Sequence, residues 1–239
     1  AESMKLGLVV NVRKCEIITD DIHVVEKFKV VAPGIKHVKS SAATLLGAPI
    51  GGEQSVDEIL TTKLFELRRL SSRLSLLDAH DALFLLKNCF SIPKLSYTLR
   101  SAPCYTHQLL SEYDDTIRST LQSILNIQLS DDAWEQATLP IANGGIGIRR
   151  ATMIALPAFL SSVVGSHTLV QQLLPGRLQH MSGSNDPSFS AAVREWCTLV
   201  ESAPVQPPNF TAQKDWDQPM VKAQEVKVMS AAPDQTSKA

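Results

Sequence analysis

Between residues 5 and 50, apolar positions come in short β-type runs separated by turn residues. The runs are Cys15 to Thr19, Val30 and Val31 ahead of the Pro33-Gly34 turn, and Thr44 to Leu46 running into Gly47 and Pro49. They predict a small, incomplete sheet edge. Two or three strands alone are at best marginally stable, so further sequence upstream is expected to complete it. Without such partners, Val9, Val10, Ile17 and Leu46 are expected to lie exposed and to favour association.

From Ser55 the period becomes helical. Val56, Ile59, Leu60, Leu64, Leu67, Leu70, Leu74 and Leu77 recur at three- and four-residue steps, and the charged residues largely avoid that stripe. Ser55-Val56-Asp57-Glu58 has the form of a capping box, which predicts the helix start. A second helix is predicted from Ala82 to about Ser91, capped by Asp78 or Asp81. Its Ala82 to Leu86 run is apolar on all sides and so expected to be central in the packing, and Pro93 should kink or restart the chain. Leu110, Tyr113, Ile117, Leu121 and Ile124 lay out a third helix, and Ser130 or Asp131 caps a short fourth one carrying Trp134. A fifth, Arg149 to Val164 with a bend at Pro157, is apolar enough to be the piece the others surround. Past Pro175 only a short helix from Ser190 to Ser202 is predicted, and residues from about 203 are expected to be poorly ordered. The pattern as a whole is mainly α with a small N-terminal β segment, an α+β class.

Composition excludes disorder throughout: 239 residues, 44% hydrophobic and 20% charged, fit one large or two small globular domains. With 23 Lys+Arg against 24 Asp+Glu there is no net basic field, so any polyanion contact must come from local clusters. Cys15, Cys89, Cys104 and Cys197 are scattered and predict neither a disulfide framework nor a metal site. The apolar stretch Ala151 to Val164 falls short of the roughly 18 to 20 residues of a membrane span and contains Pro157, Ser161 and Ser162, so it reads as a buried helix and no membrane partner is expected. The first residues do not form a signal peptide and lack an initiator Met, which suggests a chain cut from something longer. Without a targeting segment, location defaults to the cytoplasm.

Three features invite a chemical reading. Asp20-Asp21 after a strand-like run resembles the paired carboxylates that hold magnesium in polymerases, but no further carboxylate lies nearby, and a solvated turn is the favoured reading. Gly144-Gly145-Ile146-Gly147 looks like a phosphate loop but lacks the full fingerprint and a βαβ setting, so a structural turn is favoured. Arg68, Arg69 and Arg73, with Lys63 one turn earlier, put cations on the outer face of the first long helix, and Lys87, Lys94 and Arg100 do so on the second. They form either a solvated face or a phosphate-backbone track. The six histidines show no paired spacing, and no Ser or Cys lies in a nucleophile signature.

Taken in order, several pieces resemble the reverse transcriptase of non-LTR (LINE-like) retrotransposons. Gly7-Leu8, Asn11 and Lys14-Cys15-Glu16 resemble the segment ending the palm, and Leu46-Gly47-Ala48-Pro49-Ile50-Gly51 the following strand and turn beside the primer terminus. Leu77 to Leu83, Ile92-Pro93-Lys94-Leu95-Ser96-Tyr97, Leu99-Arg100 and Pro103 resemble the thumb. Trp134, Gln136-Ala137, Leu139-Pro140, Gly144 to Arg149 and Ala155 to Ser161 resemble the post-thumb segment.

The resemblance implies a C-terminal palm remnant over 1–52, a helical thumb and post-thumb region over 53–175, and a connector, partly helical then largely disordered, over 176–239. It implies that Lys14 is the leaving-group lysine of the parent enzyme, that Gly47 and Gly51 lie against the primer strand, and that Arg68, Arg69, Arg73 and Lys94 contact the phosphates of an RNA–DNA hybrid. The parent uses Mg2+, and its upstream palm and fingers are implied partners. The nucleus, where such elements integrate, joins the cytoplasm as an implied location.

The family's Tyr-x-Asp-Asp hairpin should precede Gly7, and Asp20-Asp21 falls after the Asn and Lys motif, in the wrong order to replace it. No catalytic residue is therefore assigned, and this chain alone is predicted inactive although its family is RNA-directed DNA polymerase. The alternative is a standalone helical protein- or nucleic-acid-interaction module with no catalytic activity.

Overall fold

A computed structural model of the chain describes residues 5, 7, 9, 11–50, 52–176, 186–200 and 210–231. The fold divides into two units, residues 1–59 and 60–239.

In the first unit, β1 (Glu16–Ile18) and β2 (Lys36–Val38) pair in parallel around helix α1 (Ile22–Val31). Glu16 stands opposite Lys36, and their side chains pair at 2.7 Å. Val30 and Val31, expected in a strand, close α1 instead. The Asp21 carboxylate starts that helix by accepting the amides of His23 (2.8 Å) and Val24 (3.4 Å). Both valines are 84% exposed, so no sheet face draws them into a ladder, and the cap outweighs their β propensity.

Strands β3 (Thr44–Leu45) and β4 (Ala48–Pro49) form an antiparallel hairpin. The expected strand to Leu46 stops one residue short, because Leu46 and Gly47 form the two-residue turn with φ of +52° and +81°. Two left-handed residues match the right-handed twist of the flanking strands, which is why glycine stands at one of them. Leu46 is 91% exposed and Val9 is exposed, as expected, while Ile17 is only half-exposed. Val10 and Gly51 lie outside the described residues.

Helix α2 (Glu53–Leu74) begins in the first unit and continues into the second. It starts two residues before the predicted cap. Ser55 lies inside it, and its hydroxyl donates to the Gly52 carbonyl at 2.8 Å. Leu60, Leu64, Leu67 and Leu74 are buried as the stripe requires, whereas Leu77 lies past the helix end and is exposed.

In the second unit the predicted Ala82 helix is α3 (Ala79–Leu85), prolonged by one π turn over Leu86–Phe90. Ala82 and Leu86 are buried, but Phe84 is 60% exposed. So short a helix packs through one face, here against α5 (Gln108–Leu125), which corrects the expectation of all-round burial. Pro93 restarts the chain as α4 (Ile92–Ser101), standing in the first turn where its missing N–H costs nothing. The buried Tyr113 hydroxyl donates to the Ser91 carbonyl at 2.9 Å and approaches that of Phe90 at 3.2 Å, satisfying acceptors at the break.

Asn126, left-handed at φ +52°, ends α5, and the Ser130 hydroxyl caps α6 (Asp131–Ala137) as predicted, with Trp134 buried. The apolar helix is α7 (Ala151–Leu173), nine residues longer than expected at its C-terminal end. By length and composition it is apolar enough to cross a membrane, yet Ile154 to Ser161 are all buried here. It packs against α4, α5, α8 (Pro187–Leu199) and α9 (Gln213–Ala231), so other helices do surround it. The expectation that order fails from about 203 is wrong over α9. Trp216, Met220 and Gln224 recur every fourth residue on one buried face, joined by Val221. Trp196 of α8 and Trp216 meet edge to face at 5.1 Å, and the Trp196 indole donates to the Trp216 carbonyl at 2.9 Å.

Candidate nucleic-acid interface

The predicted contact residues divide between the units. Lys14 ends a 3-10 turn over Val12–Lys14 and is exposed; Gly47 sits in the β3–β4 turn. In the second unit, α2 projects Arg68, Arg69 and Arg73 outward, all exposed. Arg68 is joined to Glu112 of α5 at 3.2 Å. Lys94 of α4 reaches Glu66 of α2 at 3.0 Å, and Lys63 lies 3.8 Å from the same carboxylate. The Lys94 hydrogen bond, with the neighbouring cations, holds the Glu66 carboxyl below its ordinary range. Arg69 and Arg73 have no ion-pair partner among the described residues. The basic track is thus two open arginines and two neutralised cations.

Both aspartates of the pair have structural work. Asp21 caps α1, and Asp20 accepts the Ser40 amide at 3.1 Å; the Ser40 hydroxyl first, and then that amide, lower its carboxyl pKa. They do not fit a two-metal centre, since no third carboxylate joins them and no group of three or more His, Cys, Asp or Glu that could hold a metal occurs among the described residues. The glycine loop is equally committed. The amides of Gly145, Ile146 and Gly147 donate to the carbonyls of Pro140, Ala137 and Leu139 at 3.2, 3.1 and 3.1 Å, so none is free for phosphate. A Cβ on Gly145 would lie 2.0 Å from the Leu139 carbonyl oxygen, so only glycine fits.

Sequence reasoning missed a polar frame around α7. Asp114 of α5 is buried and caps α7 from outside it. It accepts the Ala151 amide and both the amide (3.1 Å) and hydroxyl (2.6 Å) of Thr152. Burial outweighs those bonds and pushes its carboxyl up to about 6. Arg149 makes a two-pronged pair with Asp217 of α9 at 2.7 and 2.8 Å, and Arg150 one with Glu135 of α6 at 3.0 and 2.9 Å. The partners stand 68 and 15 positions apart, beyond any local periodicity. The adjacent arginines after a glycine turn were the one visible signal.

Between α2 and α5 lies a groove of about 470 Å3 lined by Arg68, Glu112 and hydroxyls including Ser71, Ser75, Thr116 and Thr120. The Thr120 hydroxyl donates to Ser71 at 2.8 Å, Ser75 just past α2 donates to the Ser72 carbonyl, and Thr116 donates to the Glu112 carbonyl of its own helix. Among the described residues no side-chain base is bonded to these hydroxyls, so the groove offers polar contacts. Against protein-family models, curated proteins and solved structures, the chain gives no match to any.

Proposed function

We propose that the chain is part of a retroelement RNA-directed DNA polymerase whose helical region holds the primer–template duplex, and that these residues alone do not polymerise. The observation that carries the reading is the order of its motifs: palm-end residues Gly7 to Glu16, the Leu46 to Gly51 turn, the thumb-like run through Arg100, then the post-thumb Trp134 to Ser161. The mainly helical second unit and the open Arg69 and Arg73 are in keeping with it. The alternative is a standalone helical protein- or nucleic-acid-interaction module with no catalytic activity, and the Arg68–Glu112 and Lys94–Glu66 pairs favour its protein-binding form, because they thin the positive field.

Fluorescence anisotropy of a labelled RNA–DNA hybrid with the full chain separates them. Duplex holding predicts binding that weakens linearly in log–log form as salt rises. Replacing both Arg69 and Arg73 by Gln should lower the salt slope by about two, one per lost phosphate contact. Absence of binding at low salt, or binding indifferent to both replacements, would overturn the duplex-holding reading. Primer extension with Mg2+ should yield no product.

A further inference from the structure

A second pocket, of about 500 Å3, opens between α4, the π turn before it, the 144–150 loop and the first residue of α9. Lys87, Arg100 and Arg149 line it, with Ser96, Gly147 and Gln213, and among the described residues no acidic side chain is in its walls. The size falls within the roughly 300–1,000 Å3 of small-molecule sites.

The charges there are not spent. Arg149 is neutralised by Asp217, but Lys87 and Arg100 have no carboxylate partner among the described residues. Lys87 Nζ donates to the Ile146 carbonyl at 2.9 Å, and Arg100 Nη2 to Gln213 Oε1 at 2.8 Å. Both acceptors are neutral. They fix the cationic groups at the pocket while leaving two ammonium protons and most of the guanidinium fork open. The π turn that carries Lys87 is a rare backbone form that occurs frequently at functional sites. In a chain of net charge −1, two uncompensated cations held at one concave site are a local positive focus.

We propose that this pocket binds a phosphate group, its oxygens accepting from Lys87 and Arg100. The phosphate belongs either to a nucleic-acid backbone or to a free phosphoester. This inference does not rest on the duplex-holding reading: Lys87 and Arg100 belong to the charge run seen in the sequence, but the duplex contacts assigned there are Arg68, Arg69, Arg73 and Lys94, none of which lines this pocket.

The test titrates inorganic phosphate, then the RNA–DNA hybrid, into the isotope-labelled full chain at constant ionic strength, following the amides of Lys87, Gly147 and Gln213. Two variants accompany it, Arg100→Gln and Gln213→Glu. The second sets a carboxylate against Arg100 where an acid suits a helix N-terminus, so it keeps the fold. Saturable shifts at these amides, weakened about tenfold by either variant with unchanged circular dichroism, are expected for loss of a charge-assisted contact. If the variants also weaken hybrid binding, the phosphate is a backbone phosphate. If phosphate binds but the hybrid does not, the ligand is a free phosphoester and the duplex-holding reading fails alone. Shifts that never saturate, or that both variants leave intact, overturn the pocket whatever the hybrid does.

Discussion

At the scale of single residues, the sharpest constraints are those with no room to move. Gly145 is one. Its Gly→Ala replacement sets a methyl group against backbone at Leu139 and Gln136, not against a side chain that can swing away. We expect Gly145→Ala to cost more than about 3 kcal/mol, or to prevent folding, in urea denaturation. Asp114 is another. Its carboxyl is raised from 3.8 to about 6 in the fold, so between those values the folded chain holds the proton more tightly than the unfolded one. Stability through this group is complete below pH 4, falls as pH rises to about 6 and is level above, a change on the order of 3 kcal/mol. Carboxylates such as Glu66 act in the opposite direction, so the informative quantity is the stability difference between wild type and Asp114→Asn. That difference should shift in favour of the variant as pH rises from 4 to 7. A difference independent of pH would refute the assignment.

At the scale of elements, α9 decides how the second unit closes. Trp216 is fully buried against Trp196, Phe210 and the α7 face. We expect Trp216→Ala to lower stability by about 3–5 kcal/mol in thermal or denaturant unfolding. The sequence pattern made α2 and α5 legible, because a one-sided apolar stripe at helical spacing survives inspection, and Ser130 marked its helix correctly. It hid α9, whose buried face is only Trp216, Met220, Val221 and Gln224 in a polar stretch interrupted by Pro219. Val30 and Val31 misled for the converse reason: their β preference was read without weighing the Asp21 cap one helix-length upstream. The basic residues of α2 were visible as a charge run, but the neutralisation of Arg68 depended on Glu112 of another helix. The phosphate pocket was invisible as a unit, since Lys87, Arg100, Arg149 and Gln213 come from four separate stretches of chain.

At the scale of the whole molecule, charge is nearly balanced overall and uneven locally, so salt rather than pH is the lever on any polyanion contact. Hydrophobic burial is also uneven along the chain, and that bears on how the protein is made. The apolar helix α7 ends at Leu173, but part of its covering comes from α8 and α9, which follow it. At about 5–20 residues per second of synthesis, α7 has left the ribosome on the order of seconds before α9 can join it. During that interval Leu156, Phe159 and Leu160 lack the cover that α8 and α9 give them, and the Arg149–Asp217 pair cannot form. Completion of this core therefore waits for α9, which covers apolar residues of α7 made well before it.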